Sequence, residues 1–145
     1  MTTVAISGGF DPLHIGHIEM MKEAKELGDR LVVIVNNDNW LIKKKGFAFM
    51  PEKERLAIVK SIKYVDGAIL TSHPKNPTDI SVCAELEKFK PDIFANGGDR
   101  HPKADPVPEV KLCEKLGIQM VYNIGKSGKI QSSSDLVKRV REIKK

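Results

Sequence analysis

Residues 7–17 read SGGFDPLHIGH and place two glycines, a proline and two histidines within one short segment. The apolar residues 4–6 before them are typical of a buried strand, and a helical pattern follows from Gly16. Glycines let backbone N–H groups approach a bulky anion, and the next helix points its positive end toward the same place. A strand, a glycine-rich loop and a helix in this order predict an anion-binding site.

The two histidines in this loop, His14 and His17, are three residues apart. Across one helical turn their rings can lie side by side and donate hydrogen bonds to phosphate oxygens. In the alternative interpretation, one histidine caps the helix and the other packs half-buried. The whole string in its strand–loop–helix context favours a functional site.

Beyond this loop the chain continues to alternate between strand and helix patterns, without a linker or an internal repeat. Helix 78–89 is expected to be capped by Thr78 or Asp79. The predicted strands are 3–7, 30–35, 65–70, 92–95 and 118–122, and the predicted helices are 16–27, 51–62, 78–89, 107–116 and 133–143.

This alternation predicts an α/β fold over residues 1–145, a single Rossmann-like domain. We expect a five-stranded parallel sheet in the order 3-2-1-4-5, with helices on both faces. Ligands of such sheets bind beyond the carboxyl ends of the strands. The segments to examine for chemistry are therefore 7–17, 36–45, 71–77, 96–105 and 123–134.

Composition narrows the classes of protein. With 41% hydrophobic and 30% charged residues, the chain matches a globular domain and has no run long enough to span a membrane. The absence of a signal-peptide pattern and of paired cysteines favours the cytoplasm. The net charge of +5 suits a substrate with several phosphates. Aromatic residues make up only 6%, which argues against a nucleic-acid partner.

The pattern G-x-F-D-x-x-H-x-G-H, which residues 8–17 match, resembles the signature of the cytidylyltransferase-like nucleotidyltransferase superfamily. The resemblance runs almost end to end. Residues 43–46 (KKKG) are similar to the family's substrate loop, residues 97–99 (GGD) to a turn of its heptose 1-phosphate adenylyltransferase branch, and residues 130–134 (IQSSS) to its I-S-S-T string.

The resemblance implies an enzyme that joins NMP from an NTP to a phosphorylated acceptor and releases pyrophosphate. The expected reaction is adenylyl transfer to a sugar (heptose) 1-phosphate. Glycerol 3-phosphate (polyol phosphate) cytidylyl transfer is the close alternative, and FMN adenylyl transfer is the third. A non-catalytic nucleotide-binding module would not need both histidines and the lysines. ATP is favoured over CTP, Mg²⁺ is the expected cofactor, and a homodimer is the expected assembly.

The family's site residues can be carried over only where the motif matches. His14 and His17 are the expected catalytic residues, together with Lys43 and Lys44. The expected nucleotide-binding residues are Gly8, Gly9, Phe10, Asp11, His14, His17, Gly98, Asp99, Arg100, Lys126, Ile130, Ser132, Ser133 and Ser134. The expected acceptor-binding residues are Asp38, Lys43, Lys44 and Lys45, of which one lysine is essential.

Three assignments keep their alternatives. Asp11 either helps to hold Mg²⁺ or orients the loop as a turn residue. Trp40 either lines the acceptor pocket or covers the edge of the sheet. The family's R-T-x-G segment is replaced here by residues 125–129 (GKSGK), so Lys126 or Lys129 must supply the charge of the arginine.

Overall fold

In a computed structural model of the chain, residues 1–97, 108–124 and 139 are described. The strands are β1 (Thr3–Gly8), β2 (Arg30–Val35), β3 (Gly67–Leu70), β4 (Ile93–Gly97) and β5 (Gln119–Ile124). The helices within these residues are α1 (Ile15–Glu26), α2 (Asp38–Lys45), α3 (Glu52–Lys60), α4 (Cys83–Phe89) and α5 (Pro108–Leu116).

The five strands form one parallel sheet in the order β3-β2-β1-β4-β5, which confirms the predicted topology. Successive residues of a strand point to opposite faces, and both faces of this sheet are covered. On β1, Val4 and Ile6 pack in the cluster that contains Met21 of α1 and Val59 of α3. Ala5 packs in the other cluster with residues of α4 and α5.

The sequence predicts a loop over residues 36–45, whereas the structure has helix α2 there. The helix buries only Leu41, so its hydrophobic periodicity is weak. Its end signals are strong: the Asn37 side chain accepts a hydrogen bond from Trp40 N at 3.0 Å, and Gly46 has a φ of 89°. These caps are the signal in the sequence that would have identified the helix.

The predicted helix 78–89 corresponds to α4, and its predicted start at Thr78 is wrong. Helix α4 begins at Cys83, with Val82 as N-cap and no side-chain cap. The carbonyls of Ile80 and Ser81 instead accept side-chain hydrogen bonds, from Trp40 Nε1 at 2.9 Å and from His73 Nε2 at 2.9 Å. Asp79 accepts from Ser81 N in a local turn. Tertiary contacts therefore hold this segment outside the helix.

The predicted helix 133–143 lies outside the described residues, apart from Arg139. None of the helices formed by the described residues has the length and apolar character needed to cross a membrane.

Candidate active site

The loop between β1 and α1 lies at the carboxyl edge of the sheet, in the middle of the strand order. In parallel α/β sheets this is the edge at which ligands bind. The loops after β2 and β3 reach the same edge. Helix α2 begins at Asp38, only three residues after β2 ends at Val35. Asn36 N, between them, donates to the carbonyl of Gly8 at 2.9 Å and so joins this connection to the end of β1.

The two histidines cap α1 reciprocally. The Nδ1 atom of His14 accepts from Gly16 N at 3.1 Å, and the Nδ1 atom of His17 accepts from His14 N at 3.2 Å. Their rings stack with centroids 3.9 Å apart and an interplanar angle of 28°. The expectation that the rings lie side by side is therefore confirmed. The capping role considered as the alternative is also present, and both rings share it.

These caps determine which nitrogen of each neutral ring carries the proton. A nitrogen that accepts a backbone N–H has no proton of its own, so a neutral ring must carry its proton on Nε2. Neutral His14 and His17 are thus each held as Nε2–H donors. Two such donors on stacked rings at the edge of a parallel sheet are suited to oxygens of one polyanion.

The environment of His17 keeps its ring neutral. Burial lowers the pKa of His17 to about 3, and electrostatic interactions with His14 and Lys45 act in the same direction. The Phe10 ring contributes to this burial, with its centroid 4.9 Å from that of His17 in an edge-on arrangement. At physiological pH His17 is therefore a neutral hydrogen-bond donor and not a cation.

The glycines of the loop are required by internal packing. A Cβ on Gly8 would lie 2.9 Å from Phe10 Cζ, and one on Gly9 would lie 3.0 Å from a Leu41 methyl carbon. Phe10 itself is buried and has a φ of 52°. The glycines thus allow the Phe10 ring and α2 to close over the end of β1. Contact of Gly8, Gly9 and Phe10 with a nucleotide stays a prediction.

Asp11 joins two loops. Its carboxylate is only 2% exposed and accepts from Phe49 N and Met50 N, each at 2.6 Å. Both oxygens are engaged in holding the segment between α2 and α3 against the histidine loop. Among the described residues, no group of three or more His, Cys, Asp or Glu side chains could hold a metal ion. The geometry supports the orienting role.

Arg55 is a residue of the site that sequence reasoning missed. It lies on α3, is 1% exposed, and reaches four segments. Its guanidinium donates to the carbonyls of Gly9 at 2.8 Å, Asn36 at 2.5 Å and Met50 at 2.9 Å, and to Asp38 Oδ1 at 2.7 Å. One side chain thereby ties the ends of β1 and β2 to the start of α2. An arginine in the middle of an amphipathic helix pattern gives no signal of this role.

The three lysines at the end of α2 have different surroundings. Lys43 Nζ donates to Asn76 Oδ1 at 3.1 Å, and Lys44 Nζ lies 5.9 Å from the centroid of the Trp40 ring. Lys45 is linked electrostatically to the histidine loop, because its charge lowers the pKa of His17 and the Asp11 carboxylate acts on its ammonium. Desolvation lowers the pKa of its ammonium, Lys44 and Arg55 lower it further, and Asp11 opposes the shift.

Among the expected acceptor residues, Asp38 forms the ion pair with Arg55, and its backbone N donates to Glu52 Oε1 at 2.9 Å. It therefore helps to position α2. A network around His73 holds the same helix from the other side. The His73 carbonyl accepts from the side-chain amides of Asn37 and Asn39, at 2.9 and 2.8 Å.

The structure thus brings Gly8, Gly9, Phe10, Asp11, both histidines, Asp38 and Lys45 to one edge of the sheet, and turns Lys43 and Lys44 toward Asn76 and Trp40. Gly97 ends β4 at this edge. Eight expected nucleotide-binding residues lie outside the described residues: Gly98, Asp99, Arg100, Lys126, Ile130, Ser132, Ser133 and Ser134.

Comparison with known proteins identifies the family of this chain, similar sequences and similar solved structures. The sequence model of the cytidylyltransferase-like family matches residues 5–139. The FAD synthase of Pyrococcus abyssi is 34% identical over 143 residues, which cover 97% of this chain and 93% of that protein. The FAD synthase of Thermoplasma volcanium is 36% identical over 145 residues, which cover 99% and 96% of the two chains.

Solved structures have the same fold. One, described as the lipopolysaccharide core biosynthesis protein from Thermoplasma volcanium, is 33% identical with a TM-score of 0.69 and covers 85% of this chain and 96% of its own. A protein of unknown function from Archaeoglobus fulgidus is 17% identical with a TM-score of 0.64, covering 92% and 96%, and supports the fold alone.

Proposed function

The chain belongs to the cytidylyltransferase-like family of nucleotidyltransferases, and we propose that it transfers AMP from ATP to FMN, forming FAD and releasing pyrophosphate. One observation supports this acceptor above the others: relatives named FAD synthase match the chain over nearly its whole length. The heptose 1-phosphate acceptor expected from the sequence finds no such support among these curated relatives.

The proposed reaction needs no activated side chain. A phosphate oxygen of FMN attacks the α-phosphorus of ATP, a new P–O bond forms, and the bond from the α-phosphorus to the oxygen bridging to the β-phosphate breaks. The electron pair of that bond leaves with pyrophosphate. Because the phosphate is already a nucleophile, the protein has to position two anions and stabilise charge on the transferring group.

His14 and His17 are suited to stabilising that charge. Their Nε2–H groups donate from rings that the caps of α1 hold in place, so little reorganisation accompanies the reaction. Because the pKa of His17 is lowered to about 3 in the free protein, its ring meets the phosphates as a neutral hydrogen-bond donor.

Lys45 is the lysine that we propose to be essential. The charge of Lys45 lowers the pKa of His17, and Asp11 acts on the Lys45 ammonium, whereas Lys43 donates to Asn76 and Lys44 lies over the Trp40 ring. A positive charge at this place reduces the repulsion between the FMN phosphate and the α-phosphate as they meet. Asp11 and Arg55 act as positioning residues, since they hold the loops that carry these groups.

Mg²⁺ is the expected cofactor of this chemistry, but the described residues do not form a protein-held site for it. The carboxylate of Asp11, the tentative ligand, is occupied by two backbone N–H groups. The proposal also includes a preference for ATP over CTP, a homodimer and a cytoplasmic location. It further includes binding of ATP by Gly98, Asp99, Arg100, Lys126, Ile130, Ser132, Ser133 and Ser134.

A second candidate is adenylyl transfer to a sugar phosphate. The relative described as a lipopolysaccharide core biosynthesis protein favours it, with a 33% identical sequence. Lysines beside a histidine pair could bind the phosphate of either acceptor. The phosphate group therefore does not distinguish FMN from a sugar phosphate.

The test is a matrix of substrates. Purified protein is incubated with ATP or CTP and with FMN, a heptose 1-phosphate or glycerol 3-phosphate, and both pyrophosphate and the nucleotide product are measured. We expect FAD from ATP and FMN, with His17→Asn as the control against contaminating enzymes. Turnover of a sugar phosphate without turnover of FMN would replace the proposal with the second candidate.

A further inference from the structure

Trp40 is the only tryptophan of the chain and lies on the first turn of α2, half-buried. Its backbone N donates to Asn37 Oδ1 at 3.0 Å, and its indole Nε1 donates to the Ile80 carbonyl at 2.9 Å. The backbone of Trp40 is therefore fixed by the cap of α2, and its indole is held by the segment before α4. A ring held in this way loses little conformational freedom when a ligand binds to it.

The indole lies beside the histidine loop. A Cβ on Gly9 would be 3.3 Å from Trp40 Cζ3, so the six-membered ring packs directly against the end of β1. Lys44 Nζ lies over the ring at 5.9 Å from its centroid, at the outer limit of a cation–π contact. Since Lys44 is exposed and has a flexible side chain, it can yield this position to a flat ligand.

We propose that Trp40 is the surface on which the isoalloxazine ring of the acceptor stacks, and that this contact selects a flavin phosphate over a sugar or polyol phosphate. The inference rests on the proposed function and names the specificity-determining residue of that same site. A flavin phosphate combines an electron-poor, flat ring system with an anion. Helix α2 offers an electron-rich indole with Lys44 over it and Lys45 next in the chain.

Stacking would discriminate among acceptors because only one of them has a π face. Heptose 1-phosphate and glycerol 3-phosphate present the same kind of anion to the lysines but nothing to the indole. Loss of a base–aromatic stack typically weakens binding by about 10- to 100-fold. We expect a loss of this size for FMN and almost none for a sugar phosphate.

The competing explanation is that Trp40 only clamps the segment before α4 through its indole N–H. Two substitutions separate the roles. Trp40→Phe removes the hydrogen bond to the Ile80 carbonyl and keeps an aromatic face, whereas Trp40→Leu removes both. Phe89→Leu is the matched control, because Phe89 is an exposed aromatic residue at the end of α4, against the edge strand β3.

The experiment measures flavin fluorescence during titration of FMN with each protein, and then FAD formation with ATP. Contact with an indole quenches flavin emission, so the wild type and Phe89→Leu should quench it strongly. We expect Trp40→Phe to retain most of the FMN affinity, and Trp40→Leu to bind FMN about 10- to 100-fold more weakly with a matching rise in KM and little change in kcat.

The outcomes separate this inference from the proposed function. FAD formation by Trp40→Leu with the wild-type KM for FMN would overturn the stacking role and leave the proposed function intact. Equal losses in Trp40→Phe and Trp40→Leu, together with lowered thermal stability of both, would assign Trp40 to the clamp. Failure of the wild-type protein to make FAD would overturn the proposed function and this inference with it.

Discussion

Among single residues, His17 shows most directly how local structure prepares chemistry. Its Nδ1 atom completes the cap of α1, and this same hydrogen bond leaves its proton on Nε2. Burial beside Phe10 and electrostatic interactions with His14 and Lys45 then disfavour the protonated ring. The hydrogen bond from His14 N to His17 Nδ1 thus both stabilises the N-terminus of α1 and keeps the ring proton on Nε2.

We predict that His17→Asn abolishes activity without unfolding the protein. The asparagine carbonyl oxygen can replace Nδ1 as acceptor for His14 N, but no donor remains at the position of Nε2. The kcat should fall on the order of 10²–10³-fold, as for the loss of one preorganised donor. Steady-state kinetics and thermal unfolding check this, and near-wild-type turnover would remove His17 from the reaction.

A second prediction concerns pH. His17 should produce no acid limb near its ordinary pKa, because its ring stays neutral down to a pKa of about 3. The pKa of Lys45 is lowered, mainly by desolvation, so its ammonium loses its proton at lower pH than an ordinary lysine. Activity should therefore decline as pH rises through this lowered pKa, before a free lysine would titrate.

The control for this pH profile is Lys45→Arg, which stays protonated at high pH and should move the alkaline limb upward. Lys43→Ala and Lys44→Ala should keep the wild-type alkaline limb. An unchanged limb in Lys45→Arg would show that another group is responsible for it. Equal, small losses of kcat in alanine variants of all three lysines would mean that the run is only a solvated helix end.

Among the helices and strands, α2 carries most of what distinguishes this site. Its N-terminus is bound to Arg55 of α3 through Asp38, and to the carbonyl of His73 through Asn37 and Asn39. The charge of its C-terminal residue, Lys45, lowers the pKa of His17 in the histidine loop. An eight-residue helix is too short to be stable alone, so these side-chain contacts determine where it lies.

We predict that Arg55→Met strongly destabilises the protein. The substitution leaves the buried carbonyl of Asn36 and the part-buried carbonyl of Gly9 without their donor, which should lower the free energy of unfolding by about 3 kcal/mol. Asp38→Asn is the matched control, because the Asp38 side chain is 33% exposed and its amide can still accept from Arg55, so about 1 kcal/mol is expected. Urea denaturation measures both, and equal losses would contradict this account.

Asp11 provides a test between its two roles. If it orients the loop between α2 and α3, Asp11→Asn loses one of two short hydrogen bonds, and both stability and kcat should fall. The Mg²⁺ concentration that gives half-maximal activity should then be unchanged. A large rise in that concentration, with stability retained, would assign Asp11 to the metal instead.

For the whole molecule, the parallel sheet is what collects the site. Every strand ends at the same edge, so residues separated by dozens of positions meet there without long loops. The strand order places β1 between β2 and β4, and the histidine loop therefore lies in the centre of the edge. Gly97 and Ile124, the last residues of β4 and β5, lie at this edge as well.

We predict that binding depends on the triphosphate, because Ser132–Ser134 at the start of the expected last helix would hold the β- and γ-phosphates. ATP should bind about tenfold or more tightly than AMP, and Ser133→Ala should narrow the difference. Added salt should narrow it too, if Lys126 and Lys129 lie in an exposed loop. Calorimetry checks this, with Ser61→Ala at the exposed end of α3 as control. Equal affinities for ATP and AMP would reduce the serines to a helix cap.

Local physics explains what could be predicted from the sequence. Apolar periodicity lies within the elements that it specifies, so the five strands of the sheet could be predicted. Their order 3-2-1-4-5 is that of the Rossmann-like fold class and is confirmed. The paired histidines followed from the spacing of three residues on one helical turn. The motif also predicted the family, because G-x-F-D-x-x-H-x-G-H is a contiguous string.

Other features depend on contacts between distant segments, and here only the tertiary structure decided. The carbonyls of Ile80 and Ser81 accept from Trp40 and His73, which delays the start of α4. Arg55 became part of the site because three loops converge on it. Lys45 differs from its two neighbours only through the groups that surround its ammonium. A periodic pattern contains none of this information, since long-range hydrogen bonds and desolvation depend on which segments meet in space.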